Sequence, residues 1–139
     1  MDARLAERRR ALDALYQADV MGARPADVLE EWRAATGEEV SAFAEELVRG
    51  VEEHRDDLDL IIGEVAEGWT IERMAVVDRT ILRLAAYELL FGPGTPIAVA
   101  IDEAVEAAKE LSTEDSGRFV NGVLGRIARD LSQESGGSS

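Results

Sequence analysis

Four arginines lie within seven residues near the start of the chain, at Arg4, Arg8, Arg9 and Arg10. They are four of the fifteen lysines and arginines, so positive charge is concentrated here. On a helix, the four-residue spacing places Arg4 and Arg8 on one face. A guanidinium group binds phosphate oxygens through two parallel hydrogen bonds. The cluster therefore indicates either a phosphate-binding patch or a solvated helix start whose arginines pair with nearby acidic residues.

A second candidate site lies near the C-terminus, where Asp115, Arg118 and Phe119 open a predicted helix. The first N–H groups of a helix can bind a phosphate, and an aromatic ring can stack on an unpaired base. The alternatives are that Phe119 belongs to the core and that Asp115 only caps the helix. Farther along, Asn121 and Gly122 are poor helix formers, and Gly122 would let a neighbouring backbone approach closely.

The sequence predicts no catalytic residue, metal site or cofactor. His54 is the only histidine, and its place on an apolar stripe favours a core residue over a base or a metal ligand. Glu103, Glu106 and Glu110 share one predicted helix face, which is typical of a solvated surface. The chain contains no cysteine, so disulfides and thiolate metal ligands are excluded.

The overall charge is strongly acidic. The chain has 139 residues, of which 29 are acidic and 15 basic, and its formal net charge is −14. Such a protein repels nucleic acid unless its cations are clustered, and it suits a basic protein partner. Hydrophobic residues make up 46%, enough for a folded core, yet no apolar run approaches the ~20 residues that span a bilayer. We therefore expect a soluble, cytoplasmic protein.

Helical periodicity determines how these residues are positioned. The predicted helices and turns cover, in order, 4–20, 25–32, 41–67, 70–74, 76–90, 96–111 and a last helix opened by Ser112 and Asp115. The helix over 76–90 is apolar on nearly all sides and should be central. Gly50 lies on the apolar face of the third segment, where another helix could pack closely. Thr95 should cap the helix over 96–111, with Ile97 and Leu111 on its buried face.

We predict an all-α fold with about seven helices in two packed bundles. The border lies near Gly68, which divides one domain over 1–132 into helical subdomains of about 1–67 and 68–132. At ~65 residues neither half would bury enough surface to be stable alone, so the pair should fold as one cooperative unit. The Ser/Gly-rich segment 133–139 is predicted to be disordered.

Four segments of the chain keep an order and spacing typical of one protein family. The first joins Arg8 to the run ALYQ over 14–17, and the second joins DRTILR over 78–83 to AYEL over 86–89. The third covers 96–109, and the fourth and most specific is DSGRFVNGVLGRI over 115–127. Together they extend over roughly 8–131. In these segments the chain resembles NusB, the family of bacterial transcription antitermination factors.

The resemblance implies an all-α fold of two small helical bundles, and it assigns surfaces to two partners. The implied RNA-binding residues are Arg4, Arg8, Arg9, Asp115, Arg118 and Phe119, with Arg8 the best match at the arginine-rich start. The implied partner-binding residues are Tyr16, Val20 and Asp78. From spacing alone, Tyr16 and Val20 extend the apolar stripe of the first helix and fit burial. Asp78 lies on the sparse polar edge of an apolar helix, where an exposed acid could pair with a basic protein.

The implied function is that of an adaptor without enzymatic activity. It would pair with the ribosomal small-subunit protein NusE and bind the single-stranded boxA element of ribosomal RNA leaders, as part of the RNA polymerase antitermination complex. Two alternatives stay open. One is a NusB-like accessory module of a ribosomal RNA methyltransferase. The other is a homodimer that buries the RNA-binding face as a storage form.

Overall fold

A computed structural model describes residues 3–37, 39–92 and 94–137, and in that part of the chain it shows seven α-helices and no strand. The helices are α1 (Ala3–Met21), α2 (Pro25–Thr36), α3 (Ala42–Glu53), α4 (Arg55–Val65), α5 (Val76–Leu90), α6 (Ile97–Leu111) and α7 (Glu114–Gly137). A short 3-10 turn, Ile71–Arg73, lies between α4 and α5. The all-α prediction is therefore confirmed. Among the described helices, none combines the length and apolar character needed to cross a membrane.

The central helix is α5, as its nearly all-round apolar sequence predicts. It packs against α1, α3, α4, α6 and α7, and the nine residues from Thr80 to Glu88 are all buried. The core built around it is one cluster that extends from Ala11 in α1 to Ile127 in α7. The two predicted halves thus share one hydrophobic core. Their cooperative unfolding stays a prediction.

The close helix packing predicted at Gly50 is found where α3 meets α5. A side chain at Gly50 would overlap the ring of Tyr87, so only glycine fits there without a shift of the ring. Burial raises the pKa of the Tyr87 phenol, and the negative charges of Glu46 and Glu53 raise it further. This contact fixes α3 against the middle of the molecule.

The segment predicted as one helix over 41–67 is two helices. α3 ends at Glu53, α4 begins at Arg55, and His54 between them has φ −100° and ψ 12°. The prediction was wrong because Val51 and Leu58 lie seven residues apart, so that the apolar periodicity continues across the break. His54 is half-buried, and its ring stacks on Phe91 with centroids 4.0 Å apart.

Two features predicted for the helix over 96–111 are also wrong. Thr95 does not cap α6, because its hydroxyl is used in hydrogen bonds with Arg8 and Glu88. Ile97 and Leu111 are 48% and 47% exposed. The buried face consists of small residues, which let α6 pack closely on its neighbours: Ala100, Ala104, Ala107 and Ala108.

The last helix extends farther than the sequence predicts. Disorder is predicted over 133–139, but α7 continues through Gly137, and residues 138 and 139 lie outside the described residues. Extending an existing helix needs no new nucleus, since each added residue contributes one hydrogen bond. Serine and glycine at the end of a long helix can therefore stay helical.

A network of four charged side chains joins α1, α4 and α5. Arg79 binds Asp19 through two hydrogen bonds of 2.8 Å. Arg83 donates to Asp19 at 3.1 Å and to Asp59 at 2.7 and 3.1 Å. Burial alone would raise the pKa of Asp19, but the hydrogen bond from Arg79 and the charges of Arg79 and Arg83 outweigh burial and lower it. The network fixes the C-terminal end of α1 against the rest of the bundle.

Candidate functional site

Arg8 is buried, contrary to the prediction that it binds phosphate at the surface. Its Nε donates to Glu88 Oε1 at 2.8 Å, its Nη1 to Glu103 Oε2 at 3.1 Å and its Nη2 to Thr95 Oγ1 at 3.2 Å. Burial alone would lower the pKa of Arg8, but the hydrogen bonds and charges of Glu88 and Glu103 outweigh burial and raise it. The guanidinium group therefore joins α1 to α5 and α6, and its role in RNA binding stays a prediction.

Arg4 and Arg9 do reach the surface at the start of α1. Arg4 is exposed, and its guanidinium carbon lies 4.8 Å from the ring centroid of Phe43. Arg9 is partly exposed, and its Nη2 lies 2.8 Å from Glu110 Oε2. Because Glu110 is largely exposed, this ion pair is weak, and a phosphate can compete for Arg9. The solvated face predicted for the glutamates of α6 thus holds for Glu110, whereas Glu103 binds Arg8.

The start of α7 is capped by Thr113. Its Oγ1 accepts a hydrogen bond from the Ser116 N–H at 3.0 Å, so the prediction of a cap at Ser112 and Asp115 is wrong. Asp115 is exposed and forms an ion pair with Arg118, which is exposed as well. One helical turn of α7 therefore presents a carboxylate and a guanidinium group to solvent, next to the first N–H groups of the helix.

Phe119 lies beside an open groove at the junction of α7, α5 and the 3-10 turn. We call it the aromatic groove, and it is lined by Trp69, Arg73, Met74, Ala75, Asp78, Asp115, Ser116 and Phe119. Its volume is about 460 Å³, within the range of about 300–1,000 Å³ for ligand pockets. The rings of Trp69 and Phe119 are 6.2 Å apart and inclined at 62°. Phe119 is partly buried, so it contacts the core and also lines the groove.

Asp78 lies in the aromatic groove with Asp115 and Phe119. It is half-buried, not the exposed acid that the sequence predicts. Its Oδ2 accepts a hydrogen bond from Ser116 Oγ at 3.0 Å, and its Oδ1 is buried without a hydrogen bond among the described residues. Asp78 is partly covered because α7 packs on the first turn of α5. Asp78 thereby positions the start of α7.

Tyr16 and Val20 are exposed, although their spacing fits burial. Tyr16 is 43% exposed and Val20, one turn farther along α1, is 57% exposed. Tyr16 lines a second open groove of about 460 Å³. We call it the apolar groove, and it is lined by Leu12, Asp13, Tyr16, Ala75, Val76, Val77 and Leu111. An exposed tyrosine beside aliphatic side chains is suited to contact with another protein.

The two grooves are neighbours because Ala75 lines both of them. Ala75 immediately precedes α5, and Leu111 ends α6, so both grooves lie where the first turn of α5 meets the end of α6 and the start of α7. Tyr16, predicted for the protein partner, is thereby brought next to Asp115 and Phe119, predicted for RNA.

Asn121 and Gly122 are exposed, and no neighbouring backbone approaches Gly122. A side chain at Gly122 would have no atom within 4 Å, so the predicted close approach is wrong. The buried stripe of α7 passes instead through Val120, Leu124 and Ile127. Packing within this chain therefore gives no reason for asparagine and glycine at these two positions.

Sequence reasoning missed two residues of the aromatic groove, Trp69 and Arg73. Both are exposed and belong to the short connection between α4 and α5, where no helical periodicity indicates a face. A signal was available, because Trp69 stands directly after Gly68 in a segment with no apolar stripe. A tryptophan in a connecting segment either fills a gap in the core or lies at the surface, where it can contact a ligand.

Nothing in the described part of the chain is arranged for metal binding. Among the described residues, no group of three or more histidine, cysteine, aspartate or glutamate side chains could hold an ion. His54 is stacked on Phe91. The two grooves offer ring faces, aliphatic surface and charged side chains.

Comparison with known proteins gives a consistent result. The model of the NusB family matches residues 5–129. The chain is 48% identical over 127 residues to the transcription antitermination protein NusB of Acidothermus cellulolyticus, with 91% of this chain and 88% of the other covered. Among solved structures, it is similar to T. maritima NusB, with 39% identity, a TM-score of 0.80 and coverage of 93% and 92%. It is also similar to a chain of a complex of the antitermination factors NusB and NusE with double-stranded RNA, with 28% identity, a TM-score of 0.81 and coverage of 91% and 96%.

Proposed function

The chain belongs to the NusB family, and from this premise we propose that it is a transcription antitermination factor that binds RNA together with NusE. It acts without catalysis, as an adaptor in the RNA polymerase antitermination complex of the cytoplasm. Its RNA ligand is the single-stranded boxA element of ribosomal RNA leaders. The observation that carries the proposal is the pair of adjoining grooves, one aliphatic with an exposed tyrosine and one aromatic with charged residues.

We assign RNA binding to Asp115, Arg118 and Phe119 at the start of α7 and to Arg4 and Arg9 at the start of α1. Phe119 offers a ring face to an unpaired base. Arg118 and Arg9 are held in weak surface ion pairs, which a phosphate can replace at little cost. Asp115 can accept hydrogen bonds from a base amino group, and Arg4 adds positive charge farther along α1.

Arg8 has a different role in this proposal. Because its guanidinium group is fully engaged by Glu88, Glu103 and Thr95, it is a positioning residue. It holds the first turns of α1 against α6, and through that contact it fixes the place of Arg9. Asp78 is likewise a positioning residue, since it holds the start of α7 through Ser116.

NusE binding is assigned to Tyr16 and Val20. Their side chains are exposed on consecutive turns of α1, and large exposed apolar groups commonly anchor protein interfaces. A chain with a net charge of −14 attracts a basic ribosomal protein over long distance. Because Ala75 lines both grooves, a partner on Tyr16 would stand next to RNA in the aromatic groove, and RNA could contact both proteins.

The test is a titration of fluorescently labelled boxA RNA followed by anisotropy, with the protein alone, with NusE alone and with both. A scrambled RNA of the same composition is the control for sequence selectivity. The proposal predicts that the mixture binds boxA more tightly than either protein and prefers boxA to the scrambled RNA. Equal binding of the two RNAs by the mixture, or no gain from NusE, would contradict it.

A further inference from the structure

Trp69 is the feature of the surface that the assignments above leave unused. The chain has two tryptophans. Trp32 is partly buried and donates a hydrogen bond to Gln17 at 3.2 Å, whereas Trp69 is 51% exposed. Leaving a large indole ring in water is unfavourable compared with burying it, so an exposed tryptophan next to a groove is suited to ligand binding.

The backbone around Trp69 holds the ring in a defined place. Gly68 has φ 80°, a left-handed conformation that favours glycine, and the Trp69 N–H donates to Ala66 O at 2.9 Å. Ile71 and Met74 on the next turn are 7% and 5% exposed and anchor the segment in the core. The indole ring therefore follows a tight turn and precedes two residues that are anchored in the core.

The orientation of the two rings decides what the groove can hold. The ring planes of Trp69 and Phe119 are inclined at 62°, so one flat base cannot lie parallel to both. Two successive bases of an unpaired strand can each stack on one ring, with a change of direction between them. The single-stranded form allows this because its bases are not held in a helical stack.

Arg73 supplies the charge that such a strand requires. It lines the aromatic groove with Trp69 and is exposed. A guanidinium group at this place can bind the phosphate of a nucleotide whose base lies on the indole ring. The acidic groups of the groove, Asp78 and Asp115, lie on the side of α5 and α7, so the groove has one basic and one acidic side.

We infer that Trp69 is a second base-stacking residue beside Phe119, and that Arg73 binds the adjoining phosphate, so that the aromatic groove holds two successive unpaired nucleotides. This inference rests on the proposed function, because it names how the same site holds its RNA. It adds the connection between α4 and α5 to an RNA surface otherwise formed by α1 and α7.

The test uses the fluorescence of Trp69 itself. In the full chain with Trp32→Phe, Trp69 is the sole tryptophan, and boxA RNA added to the complex with a tryptophan-free NusE should quench its emission, because a stacked base quenches indole. NusE alone should leave the emission unchanged. Anisotropy of labelled boxA RNA, measured on the same samples, reports binding independently of the tryptophan.

Variants then separate the roles. Trp69→Ala should weaken boxA binding about tenfold, because the stacking of a base on an aromatic ring is lost, and Trp69→Phe should recover most of the loss. Arg73→Ala should lower the slope of log affinity against log salt by about one unit, which Trp69→Ala should not. Ile97→Ala is the matched control, because Ile97 is 48% exposed and lies at the start of α6, outside the aromatic groove.

Three results would overturn the inference. If RNA binds by anisotropy while the Trp69 emission and the affinity of Trp69→Ala stay unchanged, the groove binds no base at Trp69, although the proposed function stands. If NusE alone shifts the emission and Trp69→Ala weakens NusE binding, the ring belongs to the protein interface. If no boxA binding is seen in the anisotropy titration with NusE, the proposed function fails, and the inference with it.

Discussion

Arg8 and Arg9 are adjacent in the chain, but their guanidinium groups have different surroundings. Arg8 is 6% exposed and binds two glutamates and a threonine, whereas Arg9 pairs with one exposed glutamate. The spacing of the sequence indicates part of this difference in burial, since Arg8 lies four residues before Leu12 and seven before Leu15, on the buried face of α1. What spacing could not show is that Glu88 and Glu103 come from helices 80 and 95 residues away.

Replacing Arg8 should therefore reduce stability much more than replacing Arg9. Arg8→Ala leaves the carboxylate of Glu88 buried without its partner, and breaking a buried pair in this way costs about 3–5 kcal/mol. Arg9→Ala removes a surface pair and should change the free energy of unfolding by less than about 1 kcal/mol. Urea unfolding followed by circular dichroism measures both, and Arg8→Met tests whether packing without charge restores part of the loss.

The same two variants distinguish a positioning residue from an RNA contact. Arg9→Ala should lower the slope of log affinity for boxA against log salt by about one unit, as expected for one lost phosphate contact, while the protein stays folded. A normal free energy of unfolding for Arg8→Ala combined with a reduced salt slope would show that Arg8 contacts RNA after all.

Tyr16 gives the corresponding prediction for the protein partner. Because Tyr16 is 43% exposed, Tyr16→Ala should leave the free energy of unfolding nearly unchanged. Its affinity for NusE should fall about 30-fold or more, since buried aromatic anchors contribute ~2 kcal/mol or more to an interface. Isothermal titration calorimetry with NusE measures the loss. Phe91→Ala, at an aromatic residue that is also 43% exposed but follows the other end of α5, should bind NusE as the unsubstituted protein does.

At the scale of elements, the C-terminal end of α1 depends on its charged contacts with α5. The end of α1 carries Val20 on its outer face and Asp19 on the face toward α5, where Arg79 and Arg83 bind it. The partner-binding face is therefore positioned by the ion network as well as by the apolar packing of Leu15 and Ala18. This link makes the placement of Val20 sensitive to the protonation of Asp19.

Asp19→Asn should destabilise the protein at neutral pH by about 2–3 kcal/mol, the size expected for losing charged hydrogen bonds of low exposure. The pKa of Asp19 in the folded protein is lower than usual, so its carboxylate stabilises the fold at pH above its ordinary value of about 3.9. That contribution is lost as the pH falls through the lowered pKa. Urea unfolding at pH 7 and at a series of pH values below 4 should therefore show the two proteins converging in acid. If the difference in the free energy of unfolding between the two proteins stays constant across that range, the Asp19 carboxylate does not stabilise the fold in this way.

The sequence predicted the elements to different degrees, and the reasons are physical. α5 was placed at the centre correctly, because a helix that is apolar on nearly all sides must be covered on nearly all sides. The interruption at His54 was missed, because the apolar positions on both sides keep one period. The buried face of α6 could be predicted only in part. Alanine is small enough to be buried wherever two helices approach, whereas Ile97 and Leu111 are more apolar than the alanines between them and yet are exposed.

In the molecule as a whole, the position of the arginines explains how a protein with an acidic net charge can bind RNA. Most arginines are held by carboxylates in the described part of the chain, including Arg8, Arg33, Arg79 and Arg83. Of those assigned to RNA, Arg9 and Arg118 lie in surface pairs, Arg73 lines the aromatic groove and Arg4 lies over the Phe43 ring. A protein of this kind depends on a basic partner to attract RNA, so NusE should contribute more to affinity as the salt concentration falls.

The candidate site could be predicted only in part. The start of α7 was found from Asp115, Arg118 and Phe119 because local spacing alone brings them together. The joining of that segment to Trp69, Arg73 and the end of α1 needs the packing of α5, α6 and α7, which no local pattern contains. The adjacency of the two grooves is thus a property of the folded molecule.

The two binding surfaces are tested most directly by hydroxyl-radical footprinting of the complex, which reports the exposure of individual aromatic and methionine side chains. Adding NusE should protect Tyr16 and Met21, at the exposed end of α1, and adding boxA RNA should further protect Trp69 and Phe119. Phe91 lies about 20 Å from the aromatic groove along α5, and its modification should stay constant. Protection of Phe91 with no change at Tyr16, Trp69 and Phe119 would contradict the placement of both binding sites on this surface.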